Sequence, residues 1–98
     1  MRVHWTDRAF DHLLQIREYV ALTSEVYAER VLDRLIARSE MLEVFPASGR
    51  RVPEYEREDI RELIERPYRL IYRVLPDRVD VLAVIHGRRL LPQRVDDL

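Results

Sequence analysis

The chain contains no cysteine, which excludes disulfides, zinc–thiolate centres and thiol nucleophiles. Lysine is absent too, because all 17 basic residues are arginine. No lysine is therefore available as a general base or Schiff-base former, and every fixed cation is a planar guanidinium fork. No apolar run approaches the roughly 20 residues that cross a bilayer. The segment Met1–Asp7 lacks the apolar core of a signal peptide, so the expected location is the cytoplasm. Repeats, low-complexity tracts and linkers are missing as well. So is a strong charge of either sign. The net charge is −1, whereas a dedicated nucleic-acid binder usually carries a clear basic excess. The charges are unevenly spread. Residues 1–45 hold six Arg against eight acids and residues 61–98 hold eight Arg against six acids, enough for a modest basic patch in the C-terminal half.

What is present suits one folded domain over residues 1–98, with 47% hydrophobic and 36% charged residues. Val3 and Trp5 alternate with Arg2 and His4 and predict a short first strand. Thr6-Asp7 predicts a helix start. Ala9, Leu13, Ile16 and Val20 follow at helical spacing, widened by Phe10 and Leu14. Thr23-Ser24 interrupts the pattern and supplies a second cap. Ala28, Leu32, Leu35, Ser39 and Leu42 then mark a second helix, flanked by Tyr27, Val31 and Ile36. So short a break predicts an antiparallel helical hairpin. Phe45–Pro53 ends it with two prolines and a glycine.

Ile60–Glu65 has the mixed alternation of a weak strand. Tyr68–Leu75 is a strong one, with Tyr68, Leu70, Tyr72 and Val74 facing one way and Arg69, Ile71 and Arg73 the other. Pro76 sets a turn, and the nearly all-apolar Val79–Ile85 predicts a strand covered on both faces. The expected order is β-α-α-β-β-β, an α+β fold with a two-helix hairpin on a small, mainly antiparallel sheet. The pattern leaves open where the first strand inserts, and leaves Leu90–Leu98 as a tail without assigned structure.

In that order and spacing, Leu42–Arg50 (LEVFPASGR), Ile60–Leu63 (IREL), Tyr68–Val74 (YRLIYRV) and Val81–Arg89 (VLAVIHGRR) resemble the RelE/ParE superfamily of type II toxin–antitoxin toxins, closest to its ParE branch. The resemblance spans Trp5 to Pro92. It implies a growth-arresting toxin of the plasmid-stabilisation kind, held in a hetero-oligomer with a cognate antitoxin. Two targets exist among such proteins: ParE-like members resemble DNA gyrase inhibitors, and RelE-like members resemble metal-free ribonucleases that cut mRNA on the ribosome.

Metal-free RNA cleavage needs a base, cations for the phosphorane charge and an acid for the leaving oxygen. Arg69 and Arg89 stand where RelE-like toxins place phosphate-stabilising arginines, and His86 has an unperturbed pKa near neutrality. The middle-segment lysines are missing, however, and the C-terminal tyrosine falls at Val95. Glu54, Glu56 or Glu58 would serve a sub-branch that also needs a His-aromatic pair, but Gly87 follows His86. The expectation is therefore a gyrase inhibitor that binds rather than catalyses, with an mRNA endoribonuclease using Arg69, His86 and Arg89 as the alternative. An interaction module without toxicity ranks third.

Arg69, Arg88 and Arg89 are the candidate target-binding residues. Tyr68 and Tyr72 read as core aromatics, and Arg69 and Arg73 alternatively pair with Glu62 and Glu65 across the hairpin. His86 reads as a buried, hydrogen-bonded histidine, and Arg50-Arg51 as a surface turn. Phe10, Leu14, Tyr27 and Val31 are the candidate antitoxin-binding residues, apolar beyond what so small a sheet covers. His4 and His12 have no partner that would complete a metal site, and no cofactor is expected.

Overall fold

A computed structural model describes the whole chain, Met1–Leu98. Its elements are β1 (Arg2–Trp5), α1 (Asp7–Ala21), α2 (Glu25–Glu40), β2 (Arg50–Arg51), β3 (Ile60–Glu65), β4 (Tyr68–Val74) and β5 (Arg78–His86), with short 3₁₀ turns at Met41–Glu43 and Val95–Asp97. Both helices start where their caps predict. Thr6 Oγ1 accepts from Ala9 N–H and Ser24 Oγ from Tyr27 N–H, each satisfying a first-turn donor that the helix leaves unpaired. The hairpin is tied on its outer side by Arg17 and Glu29 (2.9 Å).

The strands form one sheet in the order β1-β5-β4-β3-β2. β3, β4 and β5 make the antiparallel meander, and β1 lies parallel to β5 with Val3 opposite Val79. β1 thus inserts beside the last strand. Arg50-Arg51 is a two-residue edge strand against Arg61-Glu62 rather than a free turn. The β4–β5 register shifts at Ile71/Tyr72, which pair with Ala83 and Val81 and leave Leu82 as the extra residue of a bulge.

The bulge changes which β5 residues face the helices. Val79, Val81 and Val84 join Leu63, Leu70 and Tyr72 against Ala9, Leu13, Val31, Leu35 and Leu42. Ala83 and Ile85 turn to the other face, where they pack with Val52, Ile60, Ile71, Val95 and Leu98. The tail therefore has a definite place, because it covers the sheet face that the helices do not. Tyr55 Oη donates to Pro92 O (2.8 Å) and fastens the β2–β3 connection to it. Val95, where a RelE-like tyrosine would stand, is part of this second core.

Gly49 shows how tightly the β2 edge is drawn in. Its N–H donates to Tyr72 Oη (2.9 Å) and its carbonyl accepts from Arg61 (2.9 Å). A Cβ there would sit 2.4 Å from the Glu62 carbonyl oxygen and 2.7 Å from Tyr72 Oη, so only glycine fits without movement.

Candidate functional site

The functional candidates gather where β4 begins and β5 ends. Tyr68 pairs with His86 and Arg69 with Ile85, so the β3–β4 turn and the segment after β5 lie side by side. Gly87 N–H donates to Pro67 O (2.8 Å) and closes this end of the sheet. The two strand ends border a cleft of about 550 Å3 lined by Arg50, Pro53, Glu54, Ile64, Arg66, Pro67, Tyr68, Arg69, His86, Gly87 and Arg88.

Arg69 is buried in this cleft, in a carboxylate cage. Its Nε donates to Glu62 Oε1 (2.5 Å), and Nη1 and Nη2 donate to the two oxygens of Glu54 (2.8 and 2.9 Å). The other Glu62 oxygen accepts from Arg50 Nε (2.7 Å). Glu62 is wholly buried, as a carboxylate can be only when charged donors hold both oxygens. This explains the mixed alternation of β3: Glu62 lies inward because arginines meet it there. The hydrogen bonds from Arg69 hold the Glu54 carboxyl below its ordinary range, and those same bonds raise Arg69 above its own.

The pairing of Arg69 with Glu62 follows the hairpin diagonal. Arg73 instead reaches Asp59 and Asp96, each at 3.9 Å, and Glu65 takes Arg38 (3.7 Å). Tyr68 and Tyr72 lie on the helix-covered face, Tyr72 fully buried.

His86, the last residue of β5, is exposed, contrary to the buried position its alternation suggests. Its ring meets Tyr68 edge to face at 6.2 Å, and its Nδ1 accepts from Arg88 N–H (3.1 Å). Arg88 and Arg89 diverge. Arg88 lines the cleft just described, whereas Arg89 opens into a second cleft of about 640 Å3 with Arg8, Asp11, His12 and the tail. His12 Nδ1 accepts from Val84 N–H (3.2 Å), a β5 amide beyond the reach of β1. Burial, then Arg89 and Arg8, hold the His12 ring below its ordinary pKa.

The four apolar candidates on the helices separate into three places. Phe10 and Leu14 are about half exposed on the α1 flank that carries Arg17. Tyr27 is exposed on the opposite flank of α2 from Glu29, on the side where Arg38 meets Glu65. Val31 is buried in the core at 7% exposure, which corrects its assignment to the open surface. It lies between Ala28 and Leu35 on the inward line, while Leu32 is only half-buried. Arg66 escaped the sequence reading. It stands exposed in the β3–β4 turn, and only the register that brings this turn beside Gly87 gives it significance.

The fold is thus a two-helix hairpin on one face of a five-stranded sheet, with an arginine-rich cleft where β4 begins. The family described as "ParE toxin of type II toxin-antitoxin system, parDE" matches residues 3–91, and the chain belongs to this family. It is 32% identical over 90 residues to toxin RelE2 of Caulobacter vibrioides, covering 91% of this chain and 98% of that protein. It also resembles a solved chain of a chromosomal ParDE system from P. aeruginosa, with a TM-score of 0.73 and 25% identity over 88% of this chain and 95% of that one. No helix is long and apolar enough to cross a membrane.

Proposed function

We propose that this toxin arrests growth by binding DNA gyrase, and that a cognate antitoxin silences it by covering the outer side of the helical hairpin. The solved relative belongs to a ParDE toxin–antitoxin system, which supports the antitoxin partner. On this reading the toxin acts in the cytoplasm.

The observation that carries binding over RNA cleavage is the dispersal of the ribonuclease candidates. A phosphorane needs its cations, base and acid around one phosphate. Arg69 has Nε and both terminal nitrogens occupied by Glu62 and Glu54. Arg89 opens into the other cleft. His86 alone is left facing the first cleft with no free arginine of the expected pair beside it.

The test is controlled induction in a bacterial host with mRNA 5′-end mapping, alongside a supercoiling assay on purified gyrase. Both are run for wild type and His86→Gln. Gyrase inhibition that persists in the variant, whose amide keeps an N–H donor but does not titrate, with no new mRNA ends, supports the reading. A ribonuclease relying on His86 loses a factor on the order of 10² to 10⁴ in rate. New mRNA ends that vanish with His86→Gln replace the proposal with RNA cleavage.

A further inference from the structure

The cleft at the start of β4 has an unequal supply of unengaged groups. Its acids are taken: Glu54 is held by Arg69, and Glu62, buried beneath, by Arg69 and Arg50. Two of its four arginines are not. Neither Arg66 nor Arg88 takes part in any ion pair of the molecule, and both are exposed at the cleft rim.

A third donor joins them. His86 Nδ1 accepts the Arg88 amide hydrogen, so that nitrogen carries no proton and the neutral ring bears its hydrogen on Nε2. The same bond ties the backbone of Arg88 to the His86 ring, and the edge contact with Tyr68 holds the ring's orientation. The turn that carries Arg66 is held from the other side, because the Gly87-to-Pro67 bond clamps it to the end of β5. Every polar side chain left unengaged at this rim is therefore a donor. The intervening wall is apolar, made by Pro53, Ile64, Pro67 and Tyr68.

We propose that Arg66, Arg88 and the Nε2–H of His86 form a carboxylate clamp that receives an acidic, apolar-flanked segment of the toxin's protein target. The proposal rests on the gyrase-binding reading and names the site that carries it. Guanidinium forks match carboxylates bidentately and, being weakly hydrated, cost little to bury at an interface. A protein carboxylate fits better than a nucleic-acid backbone. A polyphosphate gains affinity from a track of cations, whereas this rim offers two beside the ionised Glu54, in a chain of net charge −1.

Purified toxin, as wild type, Arg66→Ala, Arg88→Ala, Arg89→Ala and the tail control Arg94→Ala, is titrated into gyrase supercoiling reactions. Circular dichroism melting confirms that each variant is folded. Arg66→Ala and Arg88→Ala are each expected to raise the half-inhibiting concentration at least about tenfold, as loss of an interface anchor does, and Arg94→Ala to leave it unchanged. Arg66→Lys should recover only part of the loss, since it restores charge without the fork.

If wild type inhibits and both Arg66→Ala and Arg88→Ala inhibit equally well, the clamp is overturned while the gyrase reading stands. If Arg89→Ala shows the loss and Arg66→Ala does not, the target occupies the other cleft and the clamp is again overturned. A wild-type protein without effect on gyrase overturns the reading and this partner together. A parallel mRNA 5′-end map in which Arg66→Ala and Arg88→Ala abolish cutting assigns the cleft to RNA phosphate and equally overturns the proposal.

Discussion

Each nitrogen of the Arg69 guanidinium donates to a carboxylate within the molecule. Its position in β4 is legible from the alternation of Tyr68–Val74, and its pairing with Glu62 follows from the diagonal of a β3–β4 hairpin. Glu54 is not legible, because it enters from a loop whose path depends on Val52 packing beneath the sheet and Tyr55 reaching Pro92. Once both carboxylates are in place, Arg69 acts as a structural counter-ion rather than a free anchor. Arg69→Ala should accordingly cost about 3–5 kcal/mol of stability, since it strands the buried Glu62 carboxylate with Arg50 alone. Adding Glu62→Gln should restore part of that loss by removing the stranded charge. Chemical denaturation of the single and double variants measures both. A single-variant loss within about half a kcal/mol, as for an exposed arginine, contradicts this assignment.

At the scale of elements, the helices are plain from 3.6-residue periodicity and from Thr6 and Ser24. Their rotation is less plain, since Val31 and Leu32 are both apolar neighbours and only packing on the sheet decides which turns inward. A paired substitution separates the two roles. Phe10→Ser with Leu14→Ser should weaken antitoxin binding by at least about tenfold with little change in stability. Val31→Ser should instead destabilise the free toxin by about 2 kcal/mol or more, as burying a hydroxyl in place of methyl groups does. Calorimetric titration with antitoxin and thermal melts check the pair, and unchanged affinity in the Phe10/Leu14 variant moves the antitoxin interface elsewhere.

The place of β1 is invisible to local pattern, because a parallel partner from the far end of the chain leaves no mark on four residues. Its shortness has a consequence in the neighbouring helix. β1 stops opposite Val81, and α1 supplies His12 to accept the Val84 amide hydrogen that no strand reaches. Burial, aided by Arg89 and Arg8 and opposed by Asp11, keeps the folded ring below its ordinary 6.5. The unfolded chain therefore takes up this proton first on acidification. The contribution of His12 is complete above pH 6.5 and is lost as pH falls through the lower, folded value. His12→Asn, which keeps an acceptor for Val84 without titrating, should flatten that part of the stability–pH curve. Identical curves for variant and wild type across this window rule the linkage out.

The whole molecule is nearly neutral, has both faces of its sheet covered and presents two clefts at the end of β5, one behind Arg88 and the other behind Arg89. The fold was readable because each element carried its own period and the turns their own chemistry. The site was readable only as a neighbourhood. Arg88 and Arg89 are adjacent in sequence yet open into different clefts, and Arg66 gains its place from the register of a hairpin. The proposed binding role rests on Arg69 being held by Glu62 and Glu54 and on Arg89 opening into a different cleft from His86. Titration of purified toxin into a gyrase supercoiling reaction tests this most directly. The account predicts dose-dependent inhibition that persists in His86→Gln, whose amide N–H replaces the ring donor without titrating, and that stoichiometric antitoxin abolishes, whereas undiminished supercoiling at saturating toxin, with mRNA cut in the induced host, would contradict it.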